Sequence, residues 1–502
     1  MAHAMPPRGP FIPLVVFLLT LGCGSRAAPP PADVGSIAAP ADAVTAPMPA
    51  AGRPSTPATK PPEVRKAVAP DEFAAEPPTK DSAAETPPAR DLLPNRETPI
   101  DDARIAAAGI RKLTGRHLTL YTDLSAGAAI DELVDVFDQA YPLWCDYFAA
   151  PQLRNQSWHL IACVIGDKRS FAAVGLLPAN LPPFLHAYFR GDRLWVYDQP
   201  NDYYRRHLLL HEGTHAFMYG LFGANGPPWY SEGMAELLAT HTWKDGRLTL
   251  DYFPATADDV PGWGRVRLVH DAIKAGRRLK MGDVLEYDGR AHVEVEPYGW
   301  CWAAAAFLDG HPRYRERFRK LPPHIAAKDF NRVVRETYAD DWAQLAEEWQ
   351  LFATNLDYGF DFAREVIDFR PGKPLATAGT TVTVAADRGW QSSGIELEAG
   401  KSYRLTATGR YQVARAPRPW WCEPAGVTIR YWHGHPLGVL LAAVHPEGVD
   451  PRADSPLLSP LVIGPQAVIR PIESGTLYLR INDSAAELSD NSGKLDVQVL
   501  PE

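Results

Sequence analysis

The sequence is short of the residues that staple small exported domains and of those that grip nucleic acid. Its 502 residues include only five cysteines. None stands in a Cys-x-x-Cys pair, so a thiolate metal site of that spacing is excluded. Lys and Arg number 51 against 60 Asp and Glu, a formal net charge of −9. No basic stripe or Lys/Arg run offsets this balance, which excludes nucleic acid as a partner. Long apolar runs are scarce too. Phe11–Leu21, preceded by Arg8, is too short to span a bilayer comfortably and suits the apolar core of an export signal.

The N-terminal segment 1–23 is therefore read as a signal peptide. Gly22 before Cys23 resembles a bacterial lipobox, although Thr20 stands where Leu is usual. That resemblance implies lipidation of Cys23 and an exported lipoprotein, anchored to a membrane and facing the periplasm or the extracellular space. Nearly half of the 48 prolines precede Asp101. Residues 24–103, rich in Pro and Ala, cannot bury enough apolar surface to offset their ordering entropy and are read as a disordered linker. Cys145 and Cys301 sit in apolar, Trp-flanked contexts that suit buried thiols, and disulfide pairing cannot be read from sequence.

Residues 104–370 read as one mixed domain and 371–502 as a second. In the first, His117–Tyr121 and Trp158–Ile165 alternate like strands, and Ala128–Phe148 has helical periodicity. Ala187–Phe189 and Leu194–Tyr197 suggest a hairpin, with Leu194–Asp198 as an edge that an extended peptide could join. Helices are expected over Asp202–Leu221, from Pro228 onward, over Pro297–Leu321 and over Thr337–Phe352. Beyond Pro371, short strands recur at Thr381–Ala385, Gly394–Leu397, Ser402–Thr408, Gly426–Tyr431 and Thr476–Ile481. The fold class is thus multidomain: an α+β domain followed by an all-β sandwich.

His211-Glu212-Gly213-Thr214-His215 carries the most chemistry. On a helix, residues four apart share a face, so His211 and His215 can aim at one metal with Glu212 beside them. A helix running from Leu208–Leu210 through Ala216–Met218 is apolar enough to be buried, and a buried helix rarely carries two His and a Glu without a partner. His207 lies on the same face, but one straight helix cannot wrap three ligands around an ion, so His207 is read as structural. Seventeen positions after His215, Glu232 offers a third ligand, and two His with one Glu form a catalytic zinc set that leaves a position open.

The pairing of that motif with Pro228-Trp229-Tyr230-Ser231-Glu232-Gly233-Met234-Ala235-Glu236 resembles the gluzincin metallopeptidases, in particular their peptidase-MA-like, aminopeptidase N-like branch, over residues 110–355. The resemblance implies a zincin-like domain in which His211, His215 and Glu232 ligate Zn²⁺ and Glu212 is the general base. It implies that Glu236 hydrogen-bonds a ligand histidine. It also suggests Tyr298, 66 residues after Glu232, as the donor to a developing oxyanion. The Gly-x-Met-Glu-Asn signature that anchors a free amino terminus is missing, which leaves endopeptidase activity at least as strong an expectation as exopeptidase.

Residues near 376–500 resemble the small β-sandwich of calcium-dependent galactophilic lectins, on Trp390–Ile395, Tyr411, Asn482-Asp483 and Asp490-Asn491-Ser492-Gly493. This implies a Ca²⁺ site of Asp483, Asp490 and Asn491, with carbonyls of Tyr411 and Glu487 completing the shell, and carbohydrate as a partner. Trp420-Trp421-Cys422 could be a stacking platform or a core cluster. The leading expectation is an exported zinc metallopeptidase acting on a peptide or protein. One alternative is a non-catalytic surface-binding protein that works through the lectin-like module and keeps zinc for structure. A further alternative is a metallohydrolase of a non-peptide amide.

Overall fold

The computed structural model describes residues 100–292 and 294–502. Cys23, the segment expected to be an export signal and the Pro/Ala-rich stretch up to Pro99 lie outside them. The first sheet has the strand order Arg111–Thr114, Leu118–Thr122, Leu160–Ile165, Arg193–Tyr197, Ala187–Arg190. Its inner pairings are parallel and its outer two antiparallel. Side chains alternate across it as the two-residue period requires. Leu160, Ala162 and Val164 face the main helical core, whereas Cys163 and Ile165 face a smaller cluster with Tyr121, Phe171 and Trp195.

The expected hairpin forms, but its edge is reversed. Arg193–Tyr197 is paired on both sides, so Leu194–Asp198 is not an edge. The edge of the sheet on that side is Ala187–Arg190, and Arg111–Thr114 is the opposite edge. The cause is the parallel pairing of Arg193–Tyr197 with Leu160–Ile165, which places the later strand of the hairpin inside. Two expected helices are also shorter than the periodicity suggests. The first divides into Ala128–Asp131 and Leu133–Tyr147. Another, Val295–Gly310, stops before His311-Pro312, because proline disfavours helix at the residue it follows.

Two helices carry His211, His215 and Glu232. Asp202–Phe222 begins at Asn201, whose side chain accepts from the Tyr204 amide at 2.7 Å. Pro228–Ala239 starts on a proline, whose missing N–H costs nothing in the first turn. Every residue from His207 to Met218 and from Trp229 to Ala239 is buried. Such helices are surrounded, not amphipathic. Two glycines let them be so. A Cβ on Gly213 would lie 2.7 Å from the rings of Phe137 and Trp144, and one on Gly233 would lie 2.7 Å from the Cys301 carbonyl oxygen. Gly233 thus brings the Glu232 helix against Val295–Gly310, the helix that bears Tyr298.

The C-terminal part is mostly strands. One sheet runs Ala425–Trp432, His435–His445, Gly475–Ile481, Gln391–Leu397, and the other Gln466–Ile469, Tyr403–Thr408, Lys494–Pro501, Thr380–Ala385. They share one core that includes Ile395, Leu405, Leu440, Leu479 and Val497. The opposite face of the first sheet is buried as well: Val439, Leu441, Ala443 and Tyr478 pack with Leu351 of helix Trp342–Asn355 and with Ile367. Trp420-Trp421-Cys422 is neither platform nor core alone. Cys422 is buried, Trp420 packs partly on the core, and Trp421 is half exposed with the Arg410 guanidinium 5.3 Å from its ring. Cys145, Cys163, Cys301 and Cys422 are all buried free thiols.

Gly233→Ala is expected to destabilise the chain by about 1–3 kcal/mol through overpacking against the Cys301 carbonyl. Thermal unfolding measures this, and an unchanged melting temperature would show that the two helices do not need the close approach.

Candidate metal centre

Local structure first aligns the two histidines. His211 and His215, one turn apart on the same helix, place their Nε2 atoms 3.2 Å from each other. The second helix then delivers Glu232, whose Oε2 lies 3.2 Å from His211 Nε2 and whose Oε1 lies 3.6 Å from His215 Nε2. Ligand atoms about 2.0–2.1 Å from a tetrahedral ion lie roughly 3.3 Å apart. The three side chains therefore already stand at the spacing of a coordination shell, and one ligand atom from each lies within 4.8 Å of the others. Glu232 Oε2 is buried and makes no hydrogen bond. His211 Nε2 is the polar atom that faces it, and a divalent cation seated between the two would satisfy both.

The electrostatics agree. Burial alone would raise the Glu232 carboxyl, but His215, His211 and His292 outweigh it and hold Glu232 well below the usual carboxylate range. Burial likewise opposes charge on His211, yet Glu232 and Glu236 hold its imidazole well above its ordinary value. Glu232 and Glu236 thus favour positive charge at this point. Glu212 is 8% exposed, and burial pushes its carboxyl up, which suits a group that must accept and release a proton.

A supporting layer holds the cluster. Glu236 is not a surface carboxylate; it is 1% exposed. Its Oε1 lies 3.3 Å from His211 Nδ1. Arg265 grips Glu236 with Nη2 to Oε1 at 2.7 Å and Nε to Oε2 at 2.9 Å. Trp263 Nε1 donates to the same carboxylate at 3.2 Å, and His207 Nε2 lies 3.2 Å from it. His207 therefore serves the carboxylate and sits away from His215. Ser231 Oγ lies 3.3 Å from His215 Nδ1. Partners of this kind fix tautomer and ring orientation.

Tyr298 stands beside the cluster, its ring centroid 6.1 Å from that of His211. Its hydroxyl donates to the His292 carbonyl at 2.9 Å. Burial, and then the carboxylates around it, raise its pKa and keep it a donor. His292 was not among the expected site residues. Its Nδ1 lies 2.5 Å from Glu232 Oε1, and that contact raises the pKa of its ring. No spacing rule marks a lone His six residues before Tyr298. Arg265 is equally invisible in sequence.

The second set of expected ligands lies in the β part. Asp483 is fully buried, and burial pushes its carboxyl up to about 6. Asn491 Nδ2 donates to Asp483 Oδ2 at 2.8 Å, while Asn491 Oδ1 and Asp490 Oδ1 are buried without hydrogen-bond partners. Asp490 Oδ1 and Asn491 Oδ1 are thus hard oxygen atoms left unsatisfied, the kind of ligand a hard cation takes. Ser492 and Gln412 pair across main chain, which brings this loop beside Tyr411. The Tyr411 hydroxyl bonds the carbonyls of Glu423 and Gly438. The Glu487 carboxylate turns to Arg430 at 2.8 and 2.6 Å, and its carbonyl accepts from the Asp490 amide at 3.2 Å.

Arg265→Met is expected to cost about 3–5 kcal/mol, because it leaves the buried Glu236 carboxylate without the guanidinium that grips both of its oxygens. Denaturant unfolding measures the loss, and adding Glu236→Gln to that variant recovers part of it. A loss below a tenth of that size would show that the pair does not hold the cluster.

No protein-family model matches the chain, and no curated protein matches it. Among solved structures, the EclA N-terminal domain, described as a PllA-like lectin, aligns at 22% identity over 24% of this chain and 95% of that one, with a TM-score of 0.19. AJLec from the sea anemone Anthopleura japonica aligns at 16% identity over 26% of this chain and 95% of that one, with a TM-score of 0.16. Both scores fall below the level at which likeness supports a fold or a ligand.

Proposed function

We propose that the chain is an exported zinc-dependent hydrolase that cleaves peptide bonds, joined to a β module that binds calcium and, through it, carbohydrate. The observation that supports the enzyme is the convergence of His211, His215 and Glu232 at coordination spacing, with Glu212 buried next to them. A zinc ion held there would supply a polarised water and a Lewis acid for the scissile carbonyl. Glu212 takes a proton from the attacking water and passes it to the departing amine nitrogen, so water adds as OH to the acyl carbon and H to the amine. Tyr298, released from the His292 carbonyl, donates to the oxyanion. An extended substrate would pair along the Ala187–Arg190 edge.

A second reading makes the protein a non-catalytic binder with a structural metal. Its support is His292, which reaches the Glu232 carboxylate and would close the site as a further side chain. Structural zinc sites are closed and catalytic ones keep a position open.

Glu212→Gln separates the two. The enzyme reading expects zinc content to be unchanged and peptide-library hydrolysis, read by mass spectrometry, to fall by about 10²–10⁴-fold. A wild-type protein that carries zinc yet cleaves nothing in the library favours the binder. Tyr298→Phe is expected to lower turnover with zinc retained; unchanged turnover removes Tyr298 from the chemistry.

A further inference from the structure

The loop that carries the calcium ligands has a second face. Between Asp483 and Asp490 the chain leaves the β part and enters the helical body. Ala485 is 1% exposed and belongs to the same apolar core as Leu356 and Phe360. Its carbonyl accepts from the Asp361 amide at 3.1 Å. On the strand leading into the loop, Arg480 Nη2 donates to the Asp483 carbonyl at 3.0 Å and lies 3.6 Å from Glu365 Oε1. The loop is therefore held at one end by the segment Leu356–Glu365, a turn that leads into the short helix Phe362–Glu365.

At its other end it carries two side-chain oxygens that the protein alone does not satisfy. Asn491, 3% exposed, keeps Oδ1 without a partner, and so does Asp490 Oδ1. Both Asp483 oxygens are engaged, one by the Ser484 amide at 2.7 Å and one by Asn491 Nδ2 at 2.8 Å, which pins the carboxylate toward Asn491. The unpartnered oxygens cost free energy in the closed loop and nothing in a loop that has opened to water. A cation that satisfies them binds the closed loop alone.

We infer that a calcium ion at Asp483, Asp490 and Asn491 fastens the β module to the helical body, with Ala485 as the plug that transmits its binding. The inference rests on the calcium reading given above. It assigns the ion a structural duty between two parts of the chain, independent of any sugar. Because the ion binds only the closed loop, at a concentration one hundred times its Kd it suppresses opening by about 100-fold. The Asp361 amide, which is bonded to the plug, must then exchange its hydrogen more slowly.

The test uses the full chain, stripped of metals and reloaded with zinc alone or with zinc and calcium. Calorimetry with calcium chloride reports binding, and hydrogen–deuterium exchange read by mass spectrometry reports protection of Leu356–Glu365. The expected result is calcium binding together with at least tenfold slower exchange in that segment, both lost in Asp483→Asn. Binding with protection confined to the loop Asp483–Ser492 overturns the fastening and leaves the calcium site standing. The absence of binding overturns both, and calcium heat retained in Asp483→Asn places the ion elsewhere and overturns the inference.

Discussion

Everything chemical in this molecule depends on a carboxylate from one buried helix meeting two imidazoles from another. Neither helix could remain buried on all sides with those polar groups unless the groups satisfied each other or a shared ion. The packing that forces the meeting is close: Gly233 lies where any side chain would strike the Cys301 carbonyl, and Gly213 lies against Phe137 and Trp144. Arg265 then neutralises Glu236, so the second carboxylate can stand 3.3 Å from His211 without an uncompensated charge in the core. The arrangement runs outward in a chain of contacts, from His215 to Ser231 and from His211 through Glu236 to Arg265 and Trp263.

How much of this can be read from sequence follows the range of the contact. His211 and His215 are separated by one helical turn, so their shared face needs only local geometry. Glu232 lies in a second motif, and resemblance to a family pointed to it before any packing did. Arg265 and His292 reach the cluster only through tertiary structure, 29 residues beyond Glu236 and 60 beyond Glu232. No periodicity encodes such contacts.

The sheets teach a similar lesson. The Ala187–Tyr197 hairpin was legible from its two alternating segments and the Gly191 turn. Which of its strands lies inside depends on a parallel partner, Leu160–Ile165, far back in the chain. His435–His445 went unread because it does not alternate. It is buried on both faces, Leu440 and Ala442 toward the sandwich core and Val439, Leu441 and Ala443 toward helix Trp342–Asn355. An apolar run of that kind carries no period to detect.

The central claim is that two imidazoles and one carboxylate share a single ion. X-ray absorption fine structure at the zinc edge of the zinc-loaded protein tests it most directly. The account predicts a shell of nitrogen and oxygen only, with the outer scattering of two imidazole rings, and one oxygen fewer from protein in Glu232→Ala. A shell containing sulfur, or one without imidazole scattering, would contradict it.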